Sequence, residues 1–396
     1  PKQDEIDDFI LKNNGFKAEE LRLKHAFTSG FHMHINQMEV RQKMSHRFPQ
    51  LINRKNYIFP KPSLLSQASS EATSLWRANQ MSLIEPLTNV LEVTGGSGID
   101  TWGLEKAGAQ NIDICETNET LCDILKYNGQ LLEGVRNIFN TDSNNFCPKK
   151  KYNWLYADPS RIDSNGNRVF HPKQCSPNPL ESIFNWEKWA TYVAIKLSPM
   201  LEPQEVLKWF PNCKFLITLS VRKEVKELIM ISSQTHASGT QILAVDLNDN
   251  GTENYRILLD KFEIQESSPQ PLPYIYDPDP VIVASNGISF VSNKWNLKTL
   301  HISSRILTSS EFHSDFPGRI FAVIKKEKPF EFDWPSGASI ISRNFPNKVE
   351  EIKKRLKCKE SAEHFLFAYT DTSRKKWFLR CKSCLLYTSP SPRDSD

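Results

Sequence analysis

The stretch Val90-Leu-Glu-Val-Thr-Gly-Gly-Ser-Gly-Ile-Asp100 decides how this chain is read. Val90, Leu91 and Val93 are spaced as a short buried strand, and the glycines that follow suit a turn into a helix beginning near Ile99. Gly95, Gly96 and Gly98, with Thr94 before them, leave the backbone able to take positive φ and let a ligand lie against its amides. A dinucleotide fingerprint wants Gly-x-Gly-x-x-Gly. Counted from Gly96, however, the third glycine position holds Thr101, and Asp100 stands where a pyrophosphate must lie. Two anions at one helix start repel. An adenosine derivative that lacks phosphate and carries positive charge, S-adenosylmethionine, tolerates Glu92 and Asp100 at such a turn. The alternative is an ordinary glycine-rich loop with scattered acids.

Working outward, Glu116 closes a second apolar run, Ile112 to Cys115, where a carboxylate can accept ribose hydroxyls. Asp142 follows the next apolar stretch and is a candidate partner for the adenine amine. Asp158-Pro159-Ser160-Arg161 comes directly after Trp154 to Ala157, so it caps a fourth strand at the sheet edge where open α/β folds bind ligands. The proline keeps Asp158 out of helical geometry. A sulfonium is already an activated leaving group, so methyl transfer asks mainly for an aligned acceptor. Asp158 is the candidate for orienting that acceptor or taking its proton, and Arg161 for holding a substrate phosphate or carboxylate. Lys196, in Lys196-Leu-Ser-Pro-Met200, ends the fifth strand and points to the same cleft, either to neutralise Asp158 or to bind substrate phosphate. A strand-ending Asp-Pro turn and a snorkelling lysine are the plainer readings.

Seven segments together carry a family resemblance. They are Leu65-Ser-Gln-Ala-Ser-Ser-Glu71, Glu92 to Asp100, Tyr156-Ala-Asp-Pro-Ser-Arg161, Lys196-Leu-Ser-Pro-Met-Leu201, Lys226-Glu-Leu228, Phe316-Pro-Gly-Arg319 and Arg343-Asn-Phe-Pro346. In this order the chain resembles the bacterial class I methyltransferases that carry a ferredoxin-like and a THUMP-like C-terminal region. The resemblance implies S-adenosylmethionine as cofactor, a Rossmann-like seven-stranded sheet and RNA as partner. It departs at Ser160 and Ile162, where the family's catalytic loop more often reads Asp-Pro-Ala-Arg-Arg, and at Arg222 to Val225, where an Asn-Glu-Cys run is usual.

The 396 residues, 39% hydrophobic and 24% charged, suit two or three domains with ample core. No apolar run approaches membrane-spanning length and no signal-peptide pattern opens the chain, so the expected compartment is the cytoplasm. Without an initial methionine, some N-terminal sequence is expected to be missing. At the other end, residues 384–396 read as a translated sequencing adapter, which makes the spacing Cys381-x-x-Cys384 accidental. The other six cysteines have no metal-ligand spacing, and no metal is expected.

The expected organisation is an N-terminal helical region over 1–80, a methyltransferase domain over 81–265, a ferredoxin-like domain over 275–319 and a THUMP-like domain over 320–383. Within the first, Arg41, Lys43, Arg47, Arg54 and Lys55 offer either an RNA-facing surface or a solvated helical face. Gln67, Ser69, Ser70 and Glu71 either close over the cofactor or simply start a helix. In the second, strands are expected at 193–197, 215–221, 242–247 and 255–259, the last two as an antiparallel hairpin. Residues 268–280, with repeated prolines, read as a linker.

Between Ile341 and Ser383 stand twelve Lys or Arg against five Asp or Glu, in a chain whose net charge is only +4. That excess, with Tyr369 and Trp377 close by, suits a phosphate-binding surface, although lysines on small domains often serve solubility. The function expected is methyl transfer to RNA, such as rRNA or tRNA. The alternatives are a small-molecule or protein methyltransferase, or an inactive methyltransferase-like RNA-binding protein. The acceptor atom and oligomeric state are left open by the sequence.

Overall fold

The computed structural model describes residues 3–13, 15–24, 31–163, 165–234, 239–259, 267–268, 270–301, 303–331 and 337–384. Residues 385–396, most of the expected adapter stretch, lie outside them, as does position 269 of the proline-rich segment. The chain divides into two compact units, the first formed by residues 1–222, 226–240 and 247–254, the second by 223–225, 241–246 and 255–396.

The first unit opens with α1 (Gln3–Lys12), α2 (Ala18–Lys24), α3 (His32–Met44), α4 (Pro62–Leu65) and α5 (Glu71–Ile84). It continues through β1 (Asn89–Glu92), α6 (Ile99–Lys106), β2 (Asn111–Glu116), α7 (Glu119–Gly129), β3 (Val135–Asn140), β4 (Tyr152–Ala157), α8 (Pro179–Trp189), β5 (Ala190–Leu197), α9 (Pro203–Trp209), β6 (Cys213–Val221) and β7 (Glu224–Ser233). These strands lie in the order β3-β2-β1-β4-β5-β7-β6. β1 pairs in parallel with both β2 and β4, β4 pairs in parallel with β5, and β7 runs antiparallel to β5. Central strands buried on both faces read as continuous apolar runs. Accordingly Leu91, Leu155, Val193 and Ile195 enter one core with Trp186 and Phe210.

The strands expected at 242–247 and 255–259 are present, at Gln241–Leu247 and Glu253–Leu259, as hydrogen-bonded neighbours. β7 is a strand the sequence reading did not place: a further reversal occurs at Arg222 and Lys223, whose φ values of 50° and 63° make a two-residue turn of the hand that matches strand twist. Neither residue is a glycine or asparagine, so the usual hairpin signal is missing.

The N-terminal helices pack on the helical layer of this unit. Val40, Phe48, Leu51, Tyr57, Phe59 and Leu65 share a core with Ile99 and Trp102 of α6. α5 and α6 approach closely at Gly103, where a Cβ would stand 2.1 Å from Ser74 Oγ and 2.9 Å from its backbone. The basic residues of the expected surface are mostly engaged internally. Lys43 donates to Glu19 at 2.6 Å and to Glu39 at 3.1 Å, Arg47 donates to the Leu65, Ser66 and Ala68 carbonyls, and Arg54 to the Leu131 carbonyl.

The second unit takes in most of β8 (Gln241–Leu247) and β9 (Glu253–Leu259), then β10 (Tyr274–Pro278), α10 (Pro280–Ala284), α11 (Ile288–Lys294), β11 (Lys298–His301), β12 (Ile306–Ser309), β13 (Gly318–Glu327), β14 (Ser339–Arg343), α12 (Val349–Leu356), β15 (His364–Thr370) and β16 (Lys376–Ser383). One seven-stranded sheet runs β11-β12-β10-β13-β16-β15-β14. β14, α12, β15 and β16 all fall within residues 320–383. Part of the proline-rich segment is itself a strand, β10, whose Ile275 and Tyr276 are fully buried. No helix among the described residues is long and apolar enough to cross a membrane.

Candidate active site

The turn after β1 is built as its glycines require. Gly98 sits at φ +79°, the left-handed region that favours glycine, and donates its N–H to the Gly95 carbonyl at 3.0 Å. Gly95 is needed for a different reason. A Cβ there would lie 2.6 Å from Ile114 Cγ2 and 2.7 Å from Leu125 Cδ1, so the turn could not close against β2 and α7. Glu116, at the end of β2, accepts from the Gly96 N–H at 2.7 Å and from the Asn118 N–H at 2.7 Å. Each carboxylate oxygen keeps further lone-pair capacity. Asp142 accepts from the Asn144 N–H at 2.8 Å and caps a single helical turn, Ser143–Asn145. Thr94 ties the turn to the loop after β4, its Oγ1 accepting from the Asp158 N–H at 2.7 Å.

Behind this turn lies a cluster of buried charge. Arg77, on α5, donates to Asp100 and to Glu227, and through Nη2 to Ser69 Oγ at 3.2 Å. Tyr156 O–H donates to Asp100 at 2.9 Å, and Arg77 stacks 5.0 Å from the centroid of the Tyr156 ring. Lys196 donates to Asp158 at 2.7 Å and to Ser69 Oγ at 2.9 Å. Ser69 thus touches both cations and, at 3.4 Å, Asp100. Of the two readings of this segment, Ser70 supports the plain helix start: its Oγ accepts from the Thr73 N–H at 3.2 Å. Ser69, one residue earlier, belongs to the site.

The carboxyl groups are held in different states. Burial drives Glu92 well above its ordinary value and the nearby Asp100 charge adds to the effect, outweighing the hydrogen bond from Thr101 Oγ1 at 2.6 Å. Its other oxygen, Oε1, is buried with no hydrogen-bond partner. For Asp100, burial acts upward but Arg77 and Lys196 prevail and lower it. Burial raises Asp158 against the pull of Lys196. Lys196 is itself raised: burial lowers it, but Asp158, Glu227 and Asp100 outweigh that. Glu92, Asp100, Asp158 and Glu227 therefore surround Arg77 and Lys196, giving the cluster more acids than bases.

In the Asp158-Pro159-Ser160-Arg161 loop, Pro159 is buried and Ser160 exposed. Ser160 forms a backbone bridge with Ser176, at 2.8 and 3.1 Å. Arg161 accepts at its carbonyl from the Val169 N–H at 2.8 Å, while its Nη1 is buried without a hydrogen-bond partner. The structure thus gathers Glu92, Thr94, Asp100, Asp158 and Lys196 into one connected site and sets Gly95, Gly96, Gly98 and Glu116 along its rim. Asp142 lies on the loop after β3. Sequence reasoning missed Arg77, Tyr156 and Glu227. A buried arginine on a helix carries no spacing signal, and Glu227 stands on a strand the sequence reading did not place. Among the described residues no group of His, Cys, Asp or Glu is arranged to hold a metal ion.

Two family models match the second unit: a ferredoxin-like domain over residues 274–317 and a THUMP domain-like segment over 334–383. No curated protein matches the chain. Among solved structures, a protein from Porphyromonas gingivalis W83 named "putative methyltransferase" superposes with a TM-score of 0.81 at 22% identity, covering 97% of this chain and 100% of its own. The 23S rRNA methyltransferase ErmE covers 42% of this chain and 70% of its own at 14% identity, with a TM-score of only 0.29. The chain thus has the class I methyltransferase fold and carries the ferredoxin-like and THUMP domain-like segments of the bacterial family its sequence resembles.

Proposed function

We propose that this chain is an S-adenosylmethionine-dependent methyltransferase acting on RNA, with residues 81–265 performing the chemistry and residues 275–319 and 320–383 as ferredoxin-like and THUMP-like domains that engage substrate. The observation that carries the cofactor assignment is the buried, unpartnered Oε1 of Glu92 beside a glycine turn and an excess of carboxyl groups. A pyrophosphate would be repelled there, whereas an ammonium and a sulfonium are stabilised. Glu92 and Asp100 would face the charged end of the cofactor, Gly95, Gly96 and Gly98 the chain along the turn, Glu116 the ribose hydroxyls and Asp142 the adenine amine.

When bound, the cofactor supplies a methyl carbon on a positively charged sulfur that departs as a neutral thioether, leaving alignment and proton removal to the protein. Asp158 is the residue for both. Lys196 and the Thr94 hydroxyl fix the loop that carries it, and its carboxylate takes the proton released from the methylated atom. Pro159 and Ser160 hold that loop in extended geometry. RNA as the acceptor is supported by the THUMP-like resemblance and by the basic excess of residues 341–383.

Calorimetric titration with S-adenosylmethionine tests the cofactor assignment: binding is expected for the native protein and lost in Glu116→Ala. Tritium from labelled cofactor is expected in the RNA fraction of a cell extract. Label confined to protein or small molecules would refute the RNA assignment, and binding without any transfer would leave an inactive relative.

A further inference from the structure

A shallow recess lies against the catalytic loop, lined by Pro159, Arg161, Phe170, Pro172, Pro179, Lys196 and Ser198 among others. Its walls are tied together. The backbone bridge between Ser160 and Ser176, the Val169 to Arg161 hydrogen bond and the packing of the His171 ring on Trp209, 5.0 Å between centroids, hold residues 169–176 against the loop. Three proline rings and the half-exposed face of Phe170 make those walls flat and apolar. Polar groups are few. The Lys196 ammonium is committed to Asp158 and Ser69, and Ser198 Oγ accepts from the Met200 N–H at 3.3 Å. Arg161 Nη1 is the exception, a buried donor without a hydrogen-bond partner.

A buried donor left unpaired is costly, and its position in a recess indicates where a ligand atom belongs. Phosphate fits poorly, because it brings several acceptor oxygens and up to two charges into a recess with one uncommitted guanidinium. A flat ring with one hydrogen-bond-accepting edge fits both the walls and the donor. We propose that this recess is the acceptor pocket, that it takes a nucleobase, and that Arg161 Nη1 donates to a carbonyl oxygen or ring nitrogen on the base edge. The base then lies beside Asp158. This inference rests on the methyltransferase reading and gives its acceptor a chemical class.

The test is saturation-transfer NMR of the full chain with adenosine, guanosine, cytidine and uridine, with S-adenosylmethionine affinity measured calorimetrically on the same samples. At least one nucleoside is expected to show stronger saturation of its base protons than of its ribose protons. Arg161→Met, which keeps the side-chain stem but removes the donors, is expected to weaken that binding about tenfold, the scale of one lost hydrogen bond, without changing cofactor affinity. Phe170→Ala, at an exposed position, is expected to weaken it less. Failure of all four nucleosides to bind, nucleoside binding unchanged in Arg161→Met, or displacement by low-millimolar inorganic phosphate would each overturn the pocket assignment. Loss of cofactor binding in the native protein would instead overturn the methyltransferase reading.

Discussion

The two units use the same ion-pair chemistry in opposite settings. In the first, Arg77 and its partners Asp100 and Glu227 have side chains only 3%, 13% and 4% exposed, and the guanidinium donates to both carboxylates. In the second, Arg319 and Arg343, 44% and 40% exposed, share Asp277 at 2.6 and 3.1 Å, and Lys353 meets Glu360 at the surface at 2.9 Å. A buried charge stripped of its partner cannot be rescued by water, whereas an exposed one is resolvated at once. The unit with the larger basic excess in sequence is therefore not the one where individual charges matter most.

The largest break in this contrast is expected from Arg77→Met. It leaves Asp100 and Glu227 buried without their cation, and urea denaturation should show a loss of about 3–5 kcal/mol. A loss under 1 kcal/mol would place the cluster in contact with water. Asp158→Asn is expected to keep cofactor affinity while lowering label transfer at least about 100-fold, as for a lost proton acceptor. Full turnover would remove Asp158 from the chemistry.

Glu92 sharpens the comparison through pH. Its carboxyl is raised above 4.5 in the folded chain, so its contribution to stability is full below the unfolded value and is lost as pH rises through the folded one. Glu92→Gln should flatten the decline of Tm with rising pH. A cation placed against Glu92 should also expel its proton, so calorimetry in buffers of different ionisation enthalpy should show release of up to about one proton per cofactor bound. The Gln variant should show none from this position. Smallest of all, Arg343→Met should cost less than about 1 kcal/mol and fade further in high salt. A cost like that of Arg77 would erase the distinction between the units.

Much of the candidate site was legible because it is local. Strand, glycine turn and helix are consecutive over 90–100, and Glu116, Asp158 and Lys196 each stand at a strand end, which short apolar runs reveal. Asp158-Pro159 marks its own exit from the sheet. The rest was hidden by distance along the chain. Arg77 precedes Asp100 by a strand and a turn, and Glu227 follows it by most of the domain. The hairpin that carries Glu227 turns on Arg222 and Lys223, residues that no turn preference picks out. The basic N-terminal residues shared one sequence signal for two fates, and only packing showed that Arg47 and Arg54 serve backbone carbonyls.

The order of residues by itself determined the glycine turn, the strand-end acids and the class of sheet, because backbone freedom and apolar periodicity act over a few neighbours. Tertiary structure alone decided which charges are buried, that Glu92 keeps one oxygen without a partner and Arg161 one nitrogen, and that Ser69 links Asp100 to Lys196. Those properties depend on desolvation and on contacts between segments far apart in the chain, which local pattern does not encode.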